Sequence, residues 1–299
     1  MLRKFNYKNI TWLDLESPTV EECRQLGKEY QIHSLVLEEL TTPSQRSKVD
    51  VYNNFIYLVL HFPSASQDQQ EIDFVIGRNF IITTHYELVA ALNDFAKIFE
   101  ADLMSRRESN EIHAGLLFYY MIKEIYGALE ANLNFINDRL RAIERKVFAG
   151  QEKEVVKALA EVNRELLDFR WTTKNHKEIL SSLELAGEEL FGTGFRYHLR
   201  AISGEHDKIW KMIESNRSTF LDLRETNESL LTIKTNHTMK VLTVLAFIFL
   251  PMTIISGIFS MNTVALPFAG RPYDFYLVLS LMALTVFTLY LIARFRRWF

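Results

Sequence analysis

Several absences narrow what this chain can be. Its 299 residues include one cysteine, Cys23, so no intrachain disulfide and no cysteine-rich zinc site can form. Eight histidines, among them His33, His61, His85 and His113, are dispersed, and none stands in the spacing of a zinc protease helix. No glycine loop of the phosphate-cradling kind occurs, since Gly192-Thr193-Gly194 lacks the residues and lysine that complete one. No catalytic constellation is visible, and an enzyme is not expected. Met1–Ile10 is polar and has no apolar core, so no secretory signal is expected there. Helix breakers are missing over a long stretch. From Phe195 to Phe259 the only proline is Pro251 and the only glycines are Gly204 and Gly257.

Charge is missing from two runs near the C-terminus, Val241–Phe259 and Phe275–Ala293. Each is long enough, at about 1.5 Å per residue, to cover most of a hydrocarbon core roughly 30 Å thick. Ser260-Met261-Asn262 lies between them. The remaining charge is divided unevenly. Val241 onward carries four arginines and one aspartate, which leaves 30 basic and 36 acidic residues before it. An acidic aqueous domain on a basic membrane anchor follows, and nucleic acid is an unsuited partner. Arg294, Arg296 and Arg297 follow the second run, whereas only Arg271 lies between the runs. That bias places the tail in the cytoplasm, and two spans then place the N-terminal domain there too.

Along the aqueous part, residues 1–110 read as α/β. Ile10–Leu15 and Phe55–Phe62 have strand composition, Thr19–Tyr30 is an amphipathic helix opened by Ser17-Pro18, and Ile72–Ile76 and Phe80–Thr84 flank the hairpin signal Gly77-Arg78-Asn79. From Glu87 the pattern is helical, with interruptions near Gly150 and over Gly187–Gly194. Phe195–Phe259 reads as one helix of roughly 95 Å if unbroken. Its apolar seam pairs Ile202/His206, Ile209/Ile213, Asn216/Phe220, Leu223/Asn227 and Leu230/Lys234. Such a helix either forms a dimerising stalk or carries a conformational signal toward the membrane.

Leading into and along the first apolar run, Asn236, Met239, Thr243, Ala246, Leu250, Thr253 and Gly257 recur every three or four residues, giving a mostly small or polar stripe. Two readings fit: a packing seam between membrane helices, or one wall of a pore built by several subunits. Asn262 serves as a turn residue in one reading. In the other it offers a neutral amide to the water shell of a hydrated divalent cation, and Mg²⁺ surrenders that shell reluctantly.

The residues now carry a resemblance. Trp12-Leu13-Asp14-Leu15, the stretch holding His33, Leu35 and Glu38-Glu39-Leu40, and Gln45-Arg46-Ser47-Lys48-Val49-Asp50 with Tyr52 resemble the opening of the CorA family of magnesium and cobalt channels, which includes ZntB-type zinc transporters. Asn236-x-x-Met239-Lys240-Val241-Leu242-Thr243, Leu250-Pro251-Met252-Thr253-Ile254-Ile255-Ser256-Gly257 and Met261-Asn262 make the most specific match. The resemblance implies a cytoplasmic α/β domain (1–110), its helical continuation (111–194), and a stalk helix that becomes the first span (195–259). An external loop (260–274), a second span (275–293) and a basic cytoplasmic tail (294–299) would follow. It further implies a homopentameric funnel in the inner membrane. Met261 and Asn262 would ring the outer mouth; Asn236, Met239, Leu242, Leu250, Thr253 and Gly257 would line the pore. Regulatory Mg²⁺ would bridge subunits through Glu225 and an acid near Asp68; no other cofactor is implied.

Two departures stand out. Ser260 replaces the glycine of the family's Gly-Met-Asn motif, and Ser47 replaces a proline. The loop after Asn262 also lacks the acid usual in magnesium members, which keeps zinc as the alternative cargo and a non-conducting relative as a third reading. The leading expectation is Mg²⁺ uptake, with Co²⁺ or Ni²⁺ as further cargo.

Overall fold

The computed structural model describes residues 2–64, 69–100, 113–261 and 273–295. They fall into two compact units, Met1–Arg224 and Glu225–Phe299.

In the first unit six strands form one sheet: β1 (Leu2–Tyr7), β2 (Ile10–Glu16), β3 (Lys48–Val51), β4 (Phe55–Phe62), β5 (Gln70–Gly77) and β6 (Phe80–His85), in the order β1-β2-β6-β5-β4-β3. Only β2 and β6 run parallel; every other neighbour pair is antiparallel. All eight residues of β4 are buried, because both faces of the sheet are covered. On one face Leu13, Leu15, Val59, Val75 and Ile82 pack with Cys23 and Leu26 of α1 (Val20–Tyr30) and with Val36 of α2 (Ser34–Glu39). On the other, Trp12 meets Phe95 of α3 (Ala90–Glu100), and Phe74 meets Phe118 of α4 (Ala114–Phe148) edge to face.

The expected elements form, with local chemistry visible. Thr19 caps α1 in a reciprocal capping box with Glu22, which is why the helix starts there. The structure adds elements that the pattern did not suggest. Polar β1 is an edge strand held by Phe5 stacking on Trp12 and by Arg3 on Asp14 at 2.6 Å. Short α2 and edge strand β3 occupy the stretch between the first helix and β4. The helical region is divided into α4, α5 (Glu152–Thr173), α6 (His176–Phe191) and α7 (Phe195–Phe259). One expectation needs correction. Gly187 does not interrupt a helix; it lies inside α6, where a Cβ would stand 2.7 Å from the Phe195 ring. The break falls at Gly192, whose φ of 86° favours glycine.

The seam of α7 is buried as far as Asn227. Ile202, His206, Ile209, Ile213, Asn216, Phe220 and Leu223 are all buried. Asn216 Nδ2 donates to the Leu133 carbonyl at 2.9 Å and its Oδ1 accepts from Asn137 of α4 at 3.0 Å, while His206 Nε2 meets the Thr173 carbonyl of α5 at 3.1 Å. A stalk that dimerises through this seam is therefore excluded over that stretch, since α4 and α5 already fill it. Further on, Leu230 is half-buried and Lys234 exposed.

Candidate functional site: the apolar helix pair

The second unit holds the end of α7 and α8 (Asp274–Phe295). Both helices are long and apolar enough to cross a membrane. Each buries or half-buries one stripe at the same spacing. On α7 it is Val244, Ile248, Pro251, Met252, Ile255 and Phe259; on α8 it is Val278, Met282, Thr285, Val286, Leu289 and Ala293. Met252 lines one groove with Met282, Val286 and Tyr290, and Phe259 lines another with Val278 and Leu281. These stripes are where the two helices meet.

At about 100° per residue, Met239, Leu242, Thr243, Ala246, Leu250, Thr253 and Gly257 centre roughly 180° from the α8-facing stripe of α7. Every one of them is exposed. Leu242 and Leu250 retain 59% and 64% of their exposure, so neither is covered by its own chain. Asn236 is exposed as well and lies toward the flank of the same face. The small, polar stripe is thus not the seam between the two membrane helices of one chain, because α8 takes the opposite side.

The threonines in this stripe turn their donors inward. Thr243 Oγ1 donates to the Met239 carbonyl at 2.8 Å and Thr253 Oγ1 to the Phe249 carbonyl at 2.9 Å. A hydroxyl so bonded keeps lone pairs available as acceptors. Such a face presents hydroxyl oxygens between exposed apolar side chains, without a fixed charge. Among the described residues, nothing beyond its own helix backbone lies within 4 Å of where a Cβ on Gly257 would be.

At the end of α7 the Ser260 amide still bonds the Ser256 carbonyl at 3.0 Å, and the Met261 amide tightens onto Ile258 at 3.3 Å. Ser260 and Met261 are exposed. Asn262 and the segment through residue 272 lie outside the described residues, as do Asp68 and the last four residues with Arg296 and Arg297. Glu225 is exposed on α7. Among the described residues no group of three or more histidine, cysteine, aspartate or glutamate side chains is arranged to hold a metal. The expected regulatory pair would join Glu225 of one subunit to an acid near Asp68 of the next, and Asp68 lies outside the described residues.

In the polar unit, sequence reasoning missed a buried ionisable cluster, His61, Glu71 and Asp73, on one face of β4 and β5. Alternation in Gln70–Gly77 suggests a solvent face for the two acids, and no local signal indicates otherwise.

An α/β domain, one very long helix and two apolar helices define a two-span membrane protein. The family model for the CorA-like Mg²⁺ transporter protein matches residues 7–297, and the chain belongs to that family, whose members are ion transporters and not enzymes. It is 24% identical over 294 residues to the cobalt/magnesium transport protein CorA of Thermotoga maritima, covering 96% of this chain and 83% of that one. The complete CorA structure from Methanocaldococcus jannaschii is similar with a TM-score of 0.84 at 24% identity, over 97% of this chain and 92% of that chain. The cytoplasmic domain of ZntB from Vibrio parahaemolyticus is more distant, with a TM-score of 0.56 at 12% identity over 76% of this chain and 89% of its own. The expected architecture is confirmed: an N-terminal α/β domain, a long helix and two C-terminal apolar helices. The chain is a divalent cation transporter by family.

Proposed function

We propose that the protein carries Mg²⁺ across the inner membrane through a homo-oligomeric pore, a pentamer by analogy with its family, whose innermost wall is the exposed stripe of α7. The observation that supports this reading is the side on which α8 packs. It leaves Met239, Leu242, Thr243, Ala246, Leu250, Thr253 and Gly257 together and uncovered. Two spans cannot enclose water by themselves, so copies arranged around an axis are needed to use that face. Arg294 and the basic tail favour cytoplasmic termini. With a membrane potential as driving force, a divalent ion gains about 4.6 kcal/mol per 100 mV, twice the value per unit charge. No covalent chemistry is required.

Asn262 and Met261 form the outer mouth in this reading, with Ser260 adding a hydroxyl where relatives have no side chain. Leu242 and Leu250 act as apolar constrictions, and Asn236 forms a polar ring near the cytoplasmic end. Glu225 and Asp68 contribute to a regulatory cation site between subunits. The experiment is flux into proteoliposomes, with dyes for Mg²⁺ and for Zn²⁺ in parallel vesicles. Mg²⁺ entry that Asn262→Ala abolishes is expected. Zn²⁺ entry without Mg²⁺ entry transfers the assignment to zinc, and silence with both ions marks a chain that does not conduct.

A further inference from the structure

In the segment joining α2 to β3, Leu40 is held in the core and the Leu40, Thr41 and Thr42 amides bond back to α2. Ser44 and Ser47 are tied to the sheet by two ionisable side chains, Glu71 and His61. Both carboxylate oxygens of Glu71 accept from the Ser44 amide, at 3.0 and 2.7 Å. The His61 ring spans the rest: Nε2 lies 3.0 Å from the Ser44 carbonyl and 3.2 Å from Glu71 Oε2, and Nδ1 is 2.9 Å from Ser47 Oγ. The His61 amide also donates to Ser47 Oγ, at 3.2 Å. Ser47 is the residue standing where the family pattern has proline, and its hydroxyl supplies two of these ties. Arg46, between the two serines, is exposed.

The anchors sit in an acid-rich, dry place. Glu71 and Asp73 are neighbours on one face of β5 and both are buried. Thr84 of β6 donates to Asp73 Oδ2 at 3.1 Å. Tyr57 of β4 and Tyr86 after β6 feel the same acids, and Cys23 of α1 adds to the load on Tyr86. Glu39 of α2 is matched by Lys48 of β3 at 2.6 Å, and Lys48 also holds Asp50 at 2.9 Å. On the far side His176 of α6 meets the His61 carbonyl at 2.9 Å. His61 is thus the cation set against the Glu71 carboxylate in this cluster, while Lys48 is engaged by Glu39 and Asp50.

We propose that Ser44–Ser47 is a proton-dependent clasp, closed on the sheet while His61 and Asp73 hold their protons and loosened when rising pH removes them. Burial, and next the adjacent Glu71, push the Asp73 carboxyl well above the usual carboxylate range. Burial alone would depress the His61 imidazole, but its hydrogen bonds to Glu71 and the Ser44 carbonyl, with the Glu71 charge, together outweigh this and raise it. Groups raised in the folded state hold it together below their unfolded values and lose that contribution as pH climbs through the folded ones. For His61 the loss begins above about pH 6.5. The neutral ring can still keep its hydrogen bonds. What is lost is the positive charge facing Glu71, joined by a new negative charge on Asp73, in a site shielded from water.

The test is trypsin cleavage after Arg46 in the full-length protein in detergent, from pH 6 to 9. Each rate is divided by that on a free Arg-Ser peptide at the same pH. The clasp predicts a rise of at least tenfold in relative cleavage, which Glu71→Gln flattens. Ser47→Ala should raise cleavage at every pH without moving the midpoint. In the unaltered protein, the infrared band of a protonated buried carboxyl should fade over the same pH range, and Asp73→Asn should remove it. A wild-type profile flat within twofold, or a full rise retained in Glu71→Gln, overturns the proposal. Should Glu71→Gln fail to fold, an infrared band that persists unchanged to pH 9 overturns it equally.

Discussion

One helix, α7, passes through two different situations. From Ile202 to Leu223 its seam is closed by α4 and α5 of the same chain, with Ile213 fully buried and Asn216 bonded on both sides of its amide. From Met239 to Gly257 the stripe opposite α8 stays bare, although it includes Leu242 and Leu250. Upstream, the helix behaves as part of a folded domain. Downstream, it presents a face that its own chain does not complete. Truncations in the two stretches should therefore produce different kinds of damage.

The sharpest contrast is between Ile213→Ala and Leu242→Ala. Removing the buried Ile213 side chain should destabilise the polar unit by about 2–5 kcal/mol, seen as a lower thermal midpoint in detergent. Leu242→Ala should leave that midpoint nearly unchanged while altering ion flux. Equal losses of stability would erase the distinction. Asn216→Ala should follow, costing about 1–3 kcal/mol because both side-chain hydrogen bonds to α4, to the Leu133 carbonyl and from the part-buried Asn137 amide, are lost. If Asn216→Leu were as stable as wild type, packing alone would set the register of α4 against α7.

A pH dependence belongs to the upstream region as well. His176 is fully buried between Tyr126 and the His61 carbonyl, and burial, with His206 nearby, depresses its imidazole to about 3. The folded state resists a proton that the unfolded chain accepts near pH 6.5, so stability should fall as pH drops from 6.5 toward 3. His176→Gln should flatten that fall in thermal melts, even from a lower starting midpoint; an unchanged slope would assign the acid sensitivity elsewhere. The smallest expected effect is Glu225→Ala, which should leave folding untouched and weaken Mg²⁺ protection of the stalk against protease. Identical digestion patterns would remove Glu225 from the regulatory site.

These contrasts also show which features the sequence made visible. Strand β4 stood out because a strand covered on both faces reads as an apolar run, and the β5–β6 hairpin because Gly77-Arg78-Asn79 marks its turn. The extent of α7 was legible from the near absence of proline and glycine. Strands β1 and β3 were not, since edge strands such as Leu2–Tyr7 need no apolar run and are fixed by distant partners like Trp12 and Asp14. The recurrence of small and polar residues along α7 could be read from spacing, but the side taken by α8 could not. Likewise, the alternation in β5 disguised Glu71 and Asp73 as solvent-facing acids, because the cover arrives from the α2–β3 segment, some 27 residues earlier at Ser44.

The most direct test of the exposed stripe uses introduced thiols. The natural Cys23 is buried, which leaves a quiet background. Single cysteines at Leu250, Thr253 and Gly257 are compared with cysteines at Val244, Ile248 and Ile255 in proteoliposomes treated with a charged, membrane-impermeant thiol reagent. The account predicts that the first three react and lose flux while the second three stay protected. Protection of Leu250, Thr253 and Gly257, with flux intact, would contradict it.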